Sequence, residues 1–154
     1  MRHLAIAVLS LVLLTACQPT TTELSDEQKA EIELAVREAA TRHFDLWFQE
    51  DLAGLLETMS FRMGAPWAVM ESRDDARSFY ERSFRRFDYE QVSTSDWDVH
   101  LLARDVVGAR ATYELTQTDS TGTVVNWTAR FNMVWVLEDS SWRLFSAGEY
   151  WRSD

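Results

Sequence analysis

The chain has 154 residues, with 25 acidic and 15 basic side chains and a formal net charge of −10 at pH 7. A chain this acidic repels phosphate backbones, so nucleic-acid binding is not expected. It contains a single cysteine, which excludes an intrachain disulfide. The stability of the fold must therefore come from the packing of apolar and aromatic side chains.

The first sixteen residues have the pattern of a secretory signal peptide. A short basic start at Met1 to His3 precedes a mostly apolar run from Leu4 to Leu14, which is too short to span a bilayer. The segment Leu14 to Cys17 resembles the bacterial lipobox, in which small residues precede a cysteine that is diacylated on sulfur and becomes the mature N-terminus. The resemblance implies a membrane anchor through lipid on Cys17 and a place in the bacterial cell envelope. A plain secretory signal cleaved beside a chance cysteine is the alternative.

This interpretation divides the chain into three segments. Residues 1–16 are the lipoprotein signal peptide, and residues 17–24 are a polar, lipidated tether without periodicity. Cleavage after residue 16 of 154 leaves 138 residues, which is the size of one domain. Residues 25–154 are therefore predicted to form a single domain.

The N-terminal half of this domain has the pattern of three helices. Ser25 followed three residues later by Gln28 matches a capping box, and apolar side chains then recur at helical spacing. A shorter helix follows Asp51, and a third begins at Asp74. The three apolar stripes are, in order, Ile32, Val36, Ala39, Ala40, His43, Phe44, Trp47 and Phe48; Leu52, Leu55 and Leu56; and Ala76, Phe79, Tyr80, Phe84 and Phe87.

From Val92 onward, alternation of apolar and polar residues predicts four long strands. The predicted inward sets are Trp97, Val99 and Leu101; Val107, Ala109, Ala111, Tyr113 and Leu115; Val125, Trp127, Ala129, Phe131, Met133 and Trp135; and Trp142, Leu144, Ser146, Gly148 and Tyr150. The predicted fold class is α+β, with three N-terminal helices packed on one face of a curved, mostly antiparallel sheet.

Two short segments and the order of the elements resemble the nuclear transport factor 2-like superfamily, which includes ketosteroid isomerases and polyketide cyclase (SnoaL)-like domains. Glu50 to Leu56 is similar to the family's acidic start of the second helix, and Ser141 to Leu144 is similar to its turn-Trp-basic-apolar start of the last strand. The resemblance covers Glu27 to Trp151. It implies a cone-shaped fold whose open end is an apolar pocket used for catalysis, ligand binding or dimerisation.

The resemblance also indicates where isomerase chemistry would lie. Counting without gaps from Asp51, the family's oxyanion-donor tyrosine falls on His43, its base on Trp67 and its late-strand acid near Met133. Neither Trp67 nor Met133 can exchange a proton with a substrate, so no catalytic residue is assigned. No metal-ligand spacing is present, and neither a metal nor a cofactor is expected.

His43 is the most informative candidate, because it interrupts an apolar stripe. An unpartnered buried imidazole costs about 1–3 kcal/mol, so a hydrogen-bond partner must exist. A core histidine satisfied by that partner and a ligand contact are both open interpretations. The ligand-binding candidates are His43, Trp47, Trp67, Tyr80, Phe131, Met133 and Trp135.

These observations favour an envelope lipoprotein, non-catalytic, whose cone binds a small apolar molecule or pairs with a second copy. The alternative is a small-molecule isomerase, cyclase or hydratase with His43 as its acid–base group. A homodimer is expected because the outward face of residues 123–137 carries Val124, Val134 and Val136 among polar side chains, a composition suited to a partly polar interface. An exposed sheet face is the other interpretation.

Overall fold

In the computed structural model, which describes residues 24–61 and 72–153, three helices precede four strands. The helices are α1 (Asp26–Phe48), α2 (Leu52–Glu57) and α3 (Arg73–Phe84). The strands are β1 (Phe87–Ala103), β2 (Val106–Asp119), β3 (Val124–Glu138) and β4 (Ser141–Ser153). The predicted signal peptide, Cys17 and Trp67 lie outside the described residues.

Helix α1 begins at the capping box that its sequence predicts. The Ser25 hydroxyl accepts a hydrogen bond from the Gln28 backbone N–H, and the Gln28 side chain accepts one from the Ser25 N–H at 2.9 Å. The buried side chains of the helix, Val36, Ala40, His43 and Phe44, all belong to the predicted apolar stripe. Local signals thus determine both the start of α1 and the face that it buries.

The four strands form one antiparallel sheet in the order β1-β2-β3-β4, which is a simple meander. The inward residues of β2 are all buried, as are Ala129, Phe131, Met133 and Trp135 of β3. Helix α1 lies against this face, and its Phe44 ring contacts Tyr113 and Phe131 at centroid distances of 4.2 and 4.8 Å. The predicted α+β class and meander are confirmed.

The boundary between α3 and β1 differs from the prediction. Phe87 was expected to extend the stripe of the third helix, but α3 ends at Phe84 and Phe87 is the first residue of β1. The residues from Phe87 to Glu90 alternate in polarity, and they pair with Asp119 to Thr116 at the far end of β2. Strand pairing therefore outweighs the helical spacing of one phenylalanine.

Strand β4 contains one extra residue, and this changes which of its side chains face the helices. Val134 pairs with Ser146 while the next residue of β3, Trp135, pairs with Leu144, so Phe145 is left as a bulge. Beyond the bulge the inward residues are Ala147, Glu149 and Trp151, which pair with Met133, Phe131 and Ala129. The prediction that Ser146, Gly148 and Tyr150 face inward was wrong, and Tyr150 is 67% exposed.

The segment after α2 is joined to β4 by backbone hydrogen bonds. Ser60 N–H donates to the Leu144 carbonyl and Leu144 N–H donates to the Thr58 carbonyl, both at 2.8 Å, so Met59 and Leu144 form a parallel bridge. This link fixes the position of Thr58 relative to the sheet. Met59 also joins Leu55, Leu56, Ala76 and Tyr80 in a second core cluster between α2 and α3.

Strand β1 forms the other edge of the sheet and is irregular. Its pairing with β2 is interrupted by register shifts between Gln91 and Ser93, between Ser95 and Asp98, and between Leu101 and Ala103. Asp96 lies within the second of these and has a positive φ of 53°. Among residues 24–61 and 72–153, no helix is long and apolar enough to cross a membrane.

Candidate functional site

A cavity of about 230 Å³ lies between α1, α3 and the inward face of the sheet. Helices α1 and α3 contribute side chains from their apolar stripes. Strands β1, β3 and β4 contribute side chains from the face of the sheet that is turned toward the helices. The lining residues are His43, Phe44, Trp47, Phe79, Tyr80, Ser83, Tyr89, Phe131, Leu144, Ala147, Glu149 and Trp151.

Four of the seven ligand-binding candidates line this cavity, namely His43, Trp47, Tyr80 and Phe131. Two others, Met133 and Trp135, belong to the packed core instead and are 2% and 0% exposed. They lie further along β3, in the same core cluster as Val36, Ala40 and Phe44 of α1. Trp67 falls outside the described residues. The role of each candidate in binding a ligand stays a prediction.

His43 has a hydrogen-bond partner within the protein. Its Nδ1 lies 2.6 Å from the hydroxyl oxygen of Thr58, and that hydroxyl donates to the Leu55 carbonyl, also at 2.6 Å. A hydroxyl has only one hydrogen, so the Thr58 oxygen must accept from His43 and Nδ1 must carry the ring proton. The ring nitrogen left for a ligand is therefore Nε2, which presents a lone pair and can only accept.

Burial keeps this imidazole neutral. His43 is 4% exposed, and its desolvation lowers the pKa from 6.5 to about 3. The Phe44 and Trp135 rings lie nearly perpendicular to the imidazole, at centroid distances of 5.4 and 6.1 Å. Near neutral pH, His43 is consequently a hydrogen-bond acceptor and a poor source of protons, and its low pKa also makes it a weak base.

Glu149 is the polar residue of the cavity that sequence reasoning missed. The bulge at Phe145 turns its side chain inward, where the apolar walls raise the pKa of the carboxyl and the nearby Trp151 side chain opposes part of that rise. Its charge also reaches α3, since the pKa of the Tyr80 phenol is raised first by burial and then by Glu149. Glu149 is nevertheless an exposed residue as a whole, so its carboxyl lies at the mouth of the cavity, where only part of its surroundings is apolar.

The sequence carried one signal for this arrangement. Trp142 and Trp151 are both large aromatic residues of β4, yet they stand an odd number of positions apart and a regular strand would place them on opposite faces. Both are half-buried and pack against the same core cluster, which requires one inserted residue between them. Reading the two tryptophans together would have predicted the bulge, and with it the inward direction of Glu149.

Aromatic rings make up one wall of the cavity. Trp47 lies 4.9 Å from Tyr89 and 6.4 Å from Trp151, measured between ring centroids, and Phe131 lies 6.0 Å from Trp151. Tyr89 and Trp151 were not among the candidates. They come together with Trp47 only because the bulge in β4 and the early start of β1 bring both strands under the end of α1.

Metal binding finds no support among the side chains that the structure describes. Within residues 24–61 and 72–153, no three His, Cys, Asp or Glu side chains converge closely enough to hold an ion. The sequence-based expectation that neither metal nor cofactor is bound stays a prediction.

Comparisons with known proteins identify the fold. A ketosteroid isomerase-like protein from Erwinia carotovora atroseptica SCRI1043 superposes with a TM-score of 0.69 at 16% identity, over 79% of this chain and 96% of that one. The hexachlorocyclohexane dehydrochlorinase LinA-type3 from Novosphingobium barchaimii LL02 gives 0.67 at 10% identity, over 84% and 94%. A scytalone dehydratase candidate from Novosphingobium aromaticivorans DSM 12444 gives 0.69 at 9% identity, over 84% and 89%.

No protein-family model matches the sequence, and a comparison with curated proteins finds no match either. The likeness is therefore one of structure at low identity. This chain has the cone-shaped fold of the nuclear transport factor 2-like superfamily, as the resemblance in its sequence implied.

The buried, neutral state of His43 predicts a loss of stability in weak acid. The folded pKa of about 3 lies below the ordinary 6.5, so the contribution of His43 is complete above pH 6.5 and is lost as the pH falls toward 3. Between about pH 7.5 and pH 5 the free energy of unfolding should fall by about 2 kcal/mol through this group alone. Urea unfolding at both pH values, compared between the wild type and His43→Phe, isolates this term from the carboxylates. Parallel pH profiles of the two proteins would contradict it.

Proposed function

We propose that this chain is a cell-envelope lipoprotein whose cone-shaped domain binds a small, mostly apolar molecule. The observation that carries the proposal is the cavity of about 230 Å³ in which His43 offers Nε2 as an acceptor among aromatic rings. Small-molecule sites are typically concave and apolar, with a few polar groups that set the orientation of the ligand. His43 and Glu149 supply those groups here.

The size of the cavity limits the ligand. A cavity of about 150 Å³ holds a benzene molecule, so this one suits a single ring with a short substituent. The apolar body would lie against Trp47, Phe131 and Trp151, while a donor on the substituent would meet His43. Burial of such a body against aromatic rings favours binding by about 25 cal/mol for each Å² removed from water.

Replacement of His43 by phenylalanine should weaken binding without unfolding the protein. The phenyl ring is planar like the imidazole and only slightly larger, and Thr58 keeps its hydrogen bond to the Leu55 carbonyl, so the melting temperature should change little. Loss of one buried hydrogen bond should weaken the binding of single-ring alcohols and amines by about tenfold. Fluorescence quenching of Trp47 and Trp151, which line the cavity, reports the affinity.

The matched control is the same substitution at the exposed histidine of β1. His100→Phe lies outside the cavity, so it should leave the affinity unchanged within about twofold. Unchanged binding in His43→Phe, together with a markedly lower melting temperature, would assign His43 to the core and count against the proposed site. If no single-ring alcohol or amine quenches this fluorescence, the result would count against binding altogether.

A second candidate function is an isomerase, cyclase or hydratase. It is favoured by the presence of Glu149, a carboxyl with a raised pKa, in the same cavity as an acceptor nitrogen. It is also favoured by the structural neighbours, whose names refer to isomerisation, dehydrochlorination and dehydration. Glu149 suits the role of proton acceptor better than His43, whose pKa of about 3 makes it a weak base.

This second function makes a separate prediction. If Glu149 abstracts a proton from a single-ring substrate, kcat/KM for that substrate should rise with pH through the titration of the Glu149 carboxyl. Glu149→Gln should abolish turnover, while Glu90→Gln on the outward face of β1 should not. Turnover that persists in Glu149→Gln, or a rate that is independent of pH, would contradict a role for Glu149 as the base.

The membrane anchor belongs to the same proposal. The sequence from Leu14 to Cys17 supports diacylation of Cys17, and an acyl chain contributes about 0.8 kcal/mol for each buried CH₂ group. Labelled palmitate should be incorporated by the wild type and not by Cys17→Ser, as measured by autoradiography of the membrane fraction. A label retained in Cys17→Ser, or a mature mass without lipid, would refute the anchor.

Dimerisation is proposed through the outward face of β3 and β4. The support is the exposed Tyr150, which pairs with Arg130 and lies beside Arg152, together with the exposed Val124 at the start of β3. This gives a mixed apolar and polar surface of the kind found in protein interfaces. Sedimentation of the protein without its lipid measures the state. A clean monomer at concentrations of about tens of micromolar would end this part of the proposal.

A further inference from the structure

The part of the cavity that residues 24–61 and 72–153 form offers a ligand hydrogen-bond acceptors and negative charge, and it contributes no cationic side chain. Glu149 is the acidic group of the lining, and His43 is neutral with only the Nε2 lone pair to offer. Among the lining residues that the structure describes, none is lysine or arginine. A carboxylate or phosphate in this space would meet Glu149, and the described lining residues supply no positive charge to compensate the repulsion.

The aromatic wall of the cavity also favours a cation over an anion. The faces of aromatic rings carry partial negative charge, so they attract a cation and repel an anion. Seven of the twelve lining residues are aromatic, and Trp47, Tyr89 and Trp151 stand together at centroid distances of 4.9 to 6.5 Å. The hydroxyls of Ser83, Tyr80 and Tyr89 either donate or accept, so they do not oppose a cation.

These features converge on one class of ligand. Acceptor atoms, a carboxyl and ring faces together recognise an ammonium group that brings its own N–H donors. The apolar remainder and the volume of about 230 Å³ limit its body to one ring. We propose that the cavity takes a small organic cation, a protonated amine on a single-ring apolar body, with its nitrogen held between Glu149 and His43 Nε2. This inference rests on the proposed small-molecule function and specifies its ligand class.

Three probes with the same ring separate charge from shape. Benzylammonium, benzyl alcohol and benzoate are titrated by calorimetry into the protein purified from bacterial cells, at about pH 7.5, where an alkylammonium stays charged. The expected order is benzylammonium tighter than benzyl alcohol by about tenfold, with benzoate weakest. Equal or tighter binding of benzyl alcohol or benzoate overturns the cation proposal, while the proposed binding function survives.

Glu149→Gln tests the carboxylate directly, because it keeps the shape of the side chain and removes its charge. It should weaken benzylammonium by about tenfold and leave benzyl alcohol within about twofold. Glu90→Gln removes one charge from the outward face of β1 and should change neither affinity. If Glu149→Gln and Glu90→Gln weaken the binding of benzylammonium equally, the effect comes from the net charge of the protein, and the proposal is overturned. Failure of all three probes to bind the wild type overturns both the cation proposal and the binding function.

Discussion

The extra residue at Phe145 determines which side chains β4 turns toward the helices. Before the bulge, Leu144 faces inward and pairs with Trp135. After the bulge, the residues that face inward are Ala147, Glu149 and Trp151. Without the inserted residue, Ser146, Gly148 and Tyr150 would occupy the inward positions. The cavity would then lose its carboxyl and one ring of its aromatic wall. A single unpaired residue in an edge strand thus sets the chemistry of the site.

The same strand also controls the state of His43. Leu144 holds the segment from Thr58 to Ser60 by two backbone hydrogen bonds, and the Thr58 hydroxyl in turn fixes the proton of His43 on Nδ1. Thr58, which follows α2, therefore orients the imidazole, and β4 in turn fixes the position of Thr58. The two polar side chains differ in this arrangement: burial keeps His43 neutral, whereas Glu149 is exposed and has a carboxyl with a raised pKa.

Sequence patterns predicted the parts of the fold that depend on local signals. The cap at Ser25, the stripe of α1 and the inward sets of β2 and β3 each follow from one regular period, and the structure confirms them. The inward residues of the last part of β4 do not follow from one regular period, because a bulge shifts the alternation by one residue. The pairing of β4 with β3 determines where that bulge lies. Periodicity also suggested Met133 and Trp135 as pocket residues, but it could not show that both belong to the packed core. A cavity is the space between elements, and its location depends on how closely they approach.

The irregular edge of the sheet has a consequence for the association of several copies of the chain. An exposed strand edge presents unpaired N–H and C=O groups, which makes β pairing between molecules a hazard. Strand β1 is the outer strand beside β2, and its three register shifts, with Asp96 in a left-handed conformation, break the row of evenly spaced N–H and C=O groups. A second copy approaching along this edge finds no straight template to extend. The bends of β1 thereby disfavour edge-to-edge pairing between copies of the chain.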